Sequence, residues 1–482
     1  MRLDQIIHGI SCLETQGDLS CEISAVTSDS RTVIPGALFI AVKGYGRDGH
    51  AYIPSAIQKG AAAVLYEEGA APEGVASVRV ADSRVAIALA ADNFYGHPSR
   101  DLTLVGITGT NGKTTTVTLL YHLFTGLGYN CGLLSTIANY VGEERFETDN
   151  TTSDPVTINR LFRRMVDAGC EYCFMEVSSI GVDQDRVTGL HFKAGIFSNL
   201  THDHLDYHKT FAEYLRCKKR FFDCLPKDAF AIVNTDDRNG LVMVQNTVAK
   251  VVTYSCRSLA DHSARILEQG FEGMLLKIDG QEAWTRLVGE HNAYNGLAIY
   301  TTAVCLGADP TETLVAISRL AAAPGRLETL RGPRDMAVVI DYAHTPDALE
   351  NVLKTLRDVA PERPLICLFG CGGDRDRTKR PEMAEIAEKR ADRLVITSDN
   401  PRTEDPEAII AEIRKGLSFS GSAKALVITD RREAIRTAIL TAPEHATILL
   451  AGKGHETYQV IGTAKLPFDE KEIVTETFKL LS

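Results

Sequence analysis

Val105-Gly106-Ile107-Thr108-Gly109-Thr110-Asn111-Gly112-Lys113-Thr114-Thr115 is an apolar run that breaks into glycines, a lysine and threonines before the helix-like stretch 116–127. A buried strand that ends in glycines and continues as a helix brings backbone N–H groups and a helix N-terminus to one point, a natural phosphate cradle. In such a loop Lys113 meets terminal phosphates and Thr114 can ligate magnesium. The strict pattern G-x-x-x-x-G-K-[ST] is not met, because its first position falls on Ile107 and the first loop glycine is Gly109. ATP with Mg2+ is the implied ligand, and a parallel α/β sheet its implied setting.

Outward from this loop, short apolar runs alternate with amphipathic stretches nearly throughout. Runs at 102–107, 173–177, 194–197, 229–233, 337–340, 365–369, 393–397 and 447–451 read as buried strands, most ending in glycine or polar clusters. This spacing predicts an α/β protein with mostly parallel sheets. A chain of 482 residues exceeds one core, and at roughly 150 residues per domain it should make three. The turn-rich Tyr95-Gly96-His97-Pro98-Ser99-Arg100 and Ala323-Pro324-Gly325-Arg326 mark the junctions, giving domains at 1–99, 100–324 and 325–482. No internal repeat is present.

With 44% hydrophobic and 24% charged residues, the composition is that of a soluble globular protein. A net charge of −11 argues against nucleic acid as partner. No apolar run approaches the ~20 residues of a membrane span, and Asp4, Gln5 and His8 interrupt any leader-like segment. The expected compartment is the cytoplasm. Eleven scattered cysteines are odd in number and read as reduced thiols. Cys170-Glu-Tyr-Cys173 has C-x-x-C form but runs into apolar residues, so core packing is the better reading.

Carboxylate and imidazole recur where strands end. Glu176 closes one run, and Asp203 and His204 follow another in Thr201-His202-Asp203-His204-Leu205-Asp206-Tyr207-His208. Groups at the ends of strands flanking a phosphate loop can reach a magnesium ion. Zinc on His202, His204 and His208 is the rival, disfavoured by the adjacent acids. In 212–225, Lys218 shares a helical stripe with Tyr214, Phe221 and Leu225, while Arg216 and Lys219 point elsewhere. A lysine on an apolar face usually snorkels. A partly buried lysine can instead take up carbon dioxide as a carbamate, which serves as a carboxylate near a metal.

Taken in order, Gly109 to Thr115, Met175-Glu176-Val177-Ser178-Ser179, Asp203-His204-Leu205-Asp206-Tyr207-His208, Gly289-Glu290-His291-Asn292, Asp341-Tyr342-Ala343-His344-Thr345-Pro346-Asp347, Gly370-Cys371-Gly372-Gly373-Asp374-Arg375-Asp376 and Asp399-Asn400-Pro401-Arg402 resemble the Mur ligases over almost the whole chain. The resemblance implies an N-terminal UDP-substrate-binding domain, a central P-loop ATPase and a C-terminal Rossmann-like domain that brings the amino acid. It places the UDP part on Ser28, Asp29, Ser30 and Tyr45-Gly46-Arg47, where residue types alone would read a plain turn at 28–30. It places the muramoyl dipeptide on Asn150, Thr151, Thr152, Ser178, Gln184 and Arg186. Asn292 and Asn295 lie near the nucleotide. Thr114, Glu176, His204 and carbamylated Lys218 attend the metal. Where many relatives read Thr-Thr-Pro, this chain has Thr151-Thr152-Ser153-Asp154-Pro155.

The same resemblance puts the incoming amino acid on Arg375, Asp399, Asn400, Pro401, Arg402, Gly452 and Glu456. Members that add diaminopimelate share the Asp-Asn-Pro-Arg signature, and a guanidinium suits the far carboxylate that lysine lacks. The implied reaction is ATP-dependent addition of meso-2,6-diaminopimelate to the D-glutamate γ-carboxylate of UDP-N-acetylmuramoyl-L-alanyl-D-glutamate, through an acyl phosphate. It serves peptidoglycan synthesis and, through the wall, cell shape and division. Lys113, His204, Lys218, Asp341 and His344 are its expected catalytic set. The partners are small molecules, with neither nucleic acid nor membrane, and a monomer is the simplest assembly. A lysine-adding synthetase, a folylpolyglutamate-synthetase-like ligase and a non-ligating nucleotide-binding regulator are the alternatives.

Overall fold

Runs such as Ala37-Leu38-Phe39-Ile40 and Ala63-Val64-Leu65-Tyr66 are apolar at every position, and they form strands buried on both faces. The computed structural model describes residues 1–44, 48–148, 150–201 and 205–481. Among these, the first sheet comprises β1 (Cys12–Gln16), β2 (Ala25–Thr27), β3 (Ala37–Ile40), β4 (Ala63–Tyr66) and β5 (Ala76–Val80), in the order β1-β5-β4-β3-β2. Strands β2 to β5 pair in parallel, whereas β1 lies antiparallel on β5 and is exposed along its length. The helix Ser83–Phe94, capped by Asp82 on the N–H groups of Arg84 and Val85, covers one face through Ala86, Ile87 and Ala90.

The second sheet holds the phosphate loop. It comprises β6 (Thr103–Thr108), β7 (Cys131–Leu134), β8 (Asn139–Val141), β9 (Glu144–Phe146), β10 (Tyr172–Glu176), β11 (Ala194–Phe197), β12 (Phe230–Asn234) and β13 (Lys250–Ser255). Their order is β13-β12-β11-β6-β10-β7-β8-β9. Strand β6 is central and parallel to both neighbours, in a register that sets Glu176 against Ile107 and Phe197 against Thr108. The carboxyl ends of β6, β10 and β11 therefore lie side by side, where an open α/β sheet places its ligands.

The chain packs as two compact units, the first of 1–109, 120–198 and 210–253 and the second of 110–119, 199–209 and 254–482. In the second, β14 (His262–Gly270), β15 (Gly273–Ile278) and β16 (Gln281–Thr285) make an antiparallel meander that the expectation of mostly parallel pairing passed over. After the helix Glu290–Cys305 come β17 (Glu328–Arg331), β18 (Ala337–Asp341), β19 (Leu365–Phe369), β20 (Arg393–Ile396), β21 (Ala425–Val427) and β22 (Thr447–Ala451). They order as β17-β18-β22-β19-β20-β21, parallel except for β17 on β18. Apolar clusters fill both faces, one around Leu353, Phe369 and Ile410 and the other around Ile340, Ile435 and Ile473. A hairpin, β23 (Tyr458–Ile461) with β24 (Ala464–Pro467), follows. The architecture is α/β, and strands expected from composition fall within about one residue of those observed.

Candidate active site

The phosphate loop is tied to its neighbours in sequence and space by hydrogen bonds. In the second unit, Thr110 donates its N–H to the Asn199 carbonyl (2.8 Å), and Asn111 exchanges two bonds with the Asn199 amide (2.9 and 3.2 Å). Asn111 Nδ2 donates to Asp347 (2.7 Å), which also accepts from Thr201 Oγ1 (3.1 Å). Lys113 folds over the loop and donates to the Thr110 carbonyl (2.8 Å). The helix begins at Lys113, three residues before the expected 116, so the lysine stands at the positive end of the helix dipole. Gly112 has φ +88°, and a Cβ there would come within 2.6 Å of Asn295 Oδ1. That contact explains two sequence features at once: why the loop needs glycine, and why buried Asn292 and Asn295 sit on the helix Glu290–Cys305. Asn295 Nδ2 donates to Asn292 Oδ1 (2.9 Å), and Asn292 Nδ2 to the Val288 carbonyl (2.9 Å). Thr114 and Thr115 are buried.

Arg326, part of the turn-rich junction at 323–326, donates to Thr114 Oγ1 (3.4 Å) and lies over the Tyr342 ring (4.8 Å). Asp341, expected as a catalytic group, is buried at the end of β18. One of its oxygens accepts from Leu327 N (2.7 Å) and the other from Ala343 N (2.8 Å). Burial raises its pKa against the opposing pull of Arg326 and these two N–H groups. Asp341 therefore ties the backbone just after Arg326 to the backbone just after Tyr342, the ring over which Arg326 lies. His344 is exposed, with Nδ1 at 2.8 Å from the Tyr342 carbonyl.

In the first unit Lys218 is 1% exposed in the helix Phe211–Asp223, in a stripe with the buried Tyr214, Phe221 and Leu225, as the periodicity predicts. Its Nζ donates to the Gly109 carbonyl (2.8 Å) and stands 4.6 Å from the Tyr214 ring centre. The stripe thus delivers a lysine to the first glycine of the phosphate loop.

Glu176 ends β10 and is 1% exposed. Its Oε1 accepts from Thr136 N (2.8 Å), while Oε2, equally buried, has no hydrogen-bond partner among the described residues. A bare buried carboxylate oxygen is costly unless a cation or donor meets it. Such a hard oxygen donor fits magnesium. Among the described residues no cluster of three or more His, Cys, Asp or Glu could hold a metal ion. His202, Asp203 and His204 lie outside the described residues, as do Tyr45, Gly46 and Arg47.

Around Glu176 the structure gathers side chains from three stretches of the sequence, at 136, 151–152 and 178–186. Thr152 Oγ1 donates to the Glu176 carbonyl (2.9 Å) and accepts from Ser178 N (2.9 Å). Arg186 donates to the Thr152 carbonyl (2.6 Å) and to Gln184 Oε1 (2.7 Å). Thr151 Oγ1 accepts from Thr136 Oγ1 (3.1 Å), and Ser178 caps its helix by accepting from Gly181 N (3.0 Å). The departure Ser153-Asp154-Pro155 has a local function: Asp154 accepts from Val156 N and Thr157 N (3.0 Å each), capping the helix Pro155–Asp167 with proline at its start. Asn150 is exposed, its carbonyl accepting from Thr148 Oγ1 (2.9 Å). Ser28, Asp29 and Ser30 form the turn after β2, where Asp29 pairs with Arg31 (2.7 Å).

The C-terminal sheet brings together the expected amino-acid-binding stretches. Asp399, Asn400, Pro401 and Arg402 follow β20, and Gly452 and Glu456 follow β22. Asn400 Nδ2 donates to Glu456 Oε2 (2.8 Å). Arg402 has φ +52°, and its Nη1 donates to the Gly373 carbonyl (2.7 Å). Arg375 is exposed, with Nη1 at 3.1 Å from the Asp374 carbonyl. Arg380, missed by the sequence reading, is wholly buried and donates to Glu404 (2.8 and 2.9 Å), to Glu412 (2.7 Å) and to the Gly372 carbonyl (3.2 Å). It anchors the loop on which Arg402 rests. Its signal in sequence was absent, because a lone arginine in a charged helix reads as solvated.

Residues 22–100 match the pattern of the Mur ligase family, catalytic domain; 107–303 match the Mur ligase middle domain; 325–454 match the Mur ligase, glutamate ligase domain. A Phocaeicola vulgatus protein named UDP-N-acetylmuramoyl-L-alanyl-D-glutamate–2,6-diaminopimelate ligase is 51% identical over 481 residues, 99% of each chain. A Bacteroides fragilis protein of the same name is 50% identical over 483 residues, 100% of each chain. A solved structure of a ligase of that name superposes with TM-score 0.72 at 31% identity, covering 100% of this chain and 99% of its own.

Proposed function

The chain belongs to the Mur ligase family, and on that premise we propose that it joins meso-2,6-diaminopimelate to the D-glutamate γ-carboxylate of UDP-N-acetylmuramoyl-L-alanyl-D-glutamate, driven by ATP. It is an ATP-dependent ligase of peptidoglycan precursor synthesis. One observation carries the choice of amino acid: the Asn400 bond to Glu456 draws the Asp399-Asn400-Pro401-Arg402 and Gly452-to-Glu456 segments together. Diaminopimelate has a carboxylate and an ammonium at its far end, and a guanidinium with a carboxylate answers both. Lysine has the ammonium alone.

The terminal phosphoryl of ATP passes to a γ-carboxylate oxygen, its bond to the ADP oxygen breaks, and an acyl phosphate forms. The amine of diaminopimelate then attacks the acyl carbon, and the tetrahedral intermediate expels phosphate to leave the amide. Such transfer is mostly positioning and charge neutralisation. The loop N–H groups from Gly109 to Thr115 and the Lys113 ammonium supply these for the nucleotide, with Asn292 and Asn295 supporting the loop. Magnesium, when bound, neutralises charge on the phosphates, and Thr114, Glu176 and His204 carry suitable donors for it. Lys218 is the position for a carbamate. Asn150, Thr151, Thr152, Ser178, Gln184 and Arg186 would hold the muramoyl dipeptide, and Ser28, Ser30, Tyr45, Gly46 and Arg47 the UDP part.

We divide the chain at 99/100 and 324/325, and we place it in the cytoplasm, a reading that its eleven cysteines, none of them disulfide-bonded, support. No helix among the described residues is long and apolar enough to cross a membrane. The test is phosphate release from ATP with UDP-N-acetylmuramoyl-L-alanyl-D-glutamate and either meso-diaminopimelate or L-lysine. Release with diaminopimelate alone is expected; equal release would discard the specificity, and none would discard the ligase.

A further inference from the structure

Beyond Gly452, the chain buries a cation that the reaction scheme above does not use. The Lys453 side chain is 0% exposed. Its Nζ donates to the Tyr458 carbonyl (2.7 Å) and to Asn400 Oδ1 (2.9 Å), and faces Glu456 Oε2 and Asp399 Oδ1 at 3.4 Å each. Asn400 Oδ1 also accepts from Val460 N (2.9 Å). An ammonium and a backbone N–H can only donate, so both partners demand the oxygen of the Asn400 amide and neither tolerates its nitrogen. The amide cannot flip. Its Nδ2 is thereby committed to Glu456 Oε2 (2.8 Å). Glu456 Oε1 takes no hydrogen bond among the described residues and is the oxygen left for a ligand.

Charge points the same way. Asp399 and Glu456 bring two carboxylates to one ammonium, while the neighbouring buried acid Glu470 is matched by Arg431 (2.8 Å). One ammonium thus faces two carboxylates, and of the two Glu456 is the more exposed.

Resting on the diaminopimelate reading of Glu456, we propose that Lys453 is a positioning residue for amino-acid selection: it locks the Asn400 amide, which aims Glu456 at the substrate's distal ammonium. A lysine that merely fills the core would not discriminate among substrates.

Steady-state kinetics of the full chain test this. Lys453→Met should raise KM for meso-diaminopimelate by about tenfold or more, the scale of one lost charge-assisted contact, with KM for ATP within about twofold. In a Glu456→Gln background the same change should add less than about threefold, because coupled residues are not additive. Asn400→Asp keeps Lys453 paired while removing the Nδ2 donor, so it should fold and reproduce the rise even where Lys453→Met does not accumulate. An unchanged KM for diaminopimelate in Asn400→Asp, or additive effects in the double variant, would overturn the proposal. If Glu456→Gln alone leaves that KM unchanged, the diaminopimelate reading of the site falls and the proposal with it.

Discussion

Replacing Gly112 with alanine isolates the geometry of the phosphate loop. The residue has φ +88°, where a side chain costs about 1–2 kcal/mol. The new Cβ would lie 2.6 Å from Asn295 Oδ1, far inside contact distance. Asn295 is buried, and its Nδ2 is tied to Asn292 Oδ1 at 2.9 Å, so it can withdraw only by breaking a hydrogen bond, about 1 kcal/mol more. The loop should lose about 2–3 kcal/mol, or roughly thirty- to a hundred-and-fifty-fold in nucleotide affinity. Titration calorimetry with ADP would measure it, with a thermal melt to confirm the fold. Asn295→Ala removes the obstructing oxygen, so in that background the penalty should shrink towards the backbone part alone. Nucleotide affinity within about threefold of the parent in Gly112→Ala would refute the argument, since only strain and contact were invoked.

Lys218→Ala should be inactive in amide formation and partly restored by added short carboxylates; undiminished turnover without them would remove the carbamate. Arg402→Ala should raise the diaminopimelate requirement by about 2 kcal/mol or more, roughly thirtyfold in KM, and leave the ATP requirement nearly unchanged. Equal shifts in both would move Arg402 out of the amino-acid site. Burial lowers the pKa of His291 from 6.5 to about 4. The unfolded chain then binds the extra proton between those values, so the stability gained from the neutral ring is complete above about pH 6.5 and lost towards pH 4. The melting-temperature advantage of the parent over His291→Gln should shrink across that window, and a constant difference would show that the ring does not titrate there.

The α/β class, the strands at 194–197, 365–369 and 447–451, the phosphate loop and the Lys218 stripe were legible in the chain itself. Each is a local pattern: a continuous apolar run bounded by turns, glycines before a lysine, or one helical face, and local periodicity follows from side-chain spacing alone. The resemblance added which motifs belong together, without saying what touches what. Tertiary structure decided the rest. It made Gly112 obligatory through Asn295, 183 positions away in sequence by their residue numbers. It committed both oxygens of Asp341 to backbone N–H groups, left Glu176 Oε2 bare, and buried Arg380 and Lys453 as anchors beneath the amino-acid loops. A charged residue carries no mark in sequence that tells a solvated surface position from a buried, ion-paired one, because the difference lies in partners that only folding brings within hydrogen-bond distance.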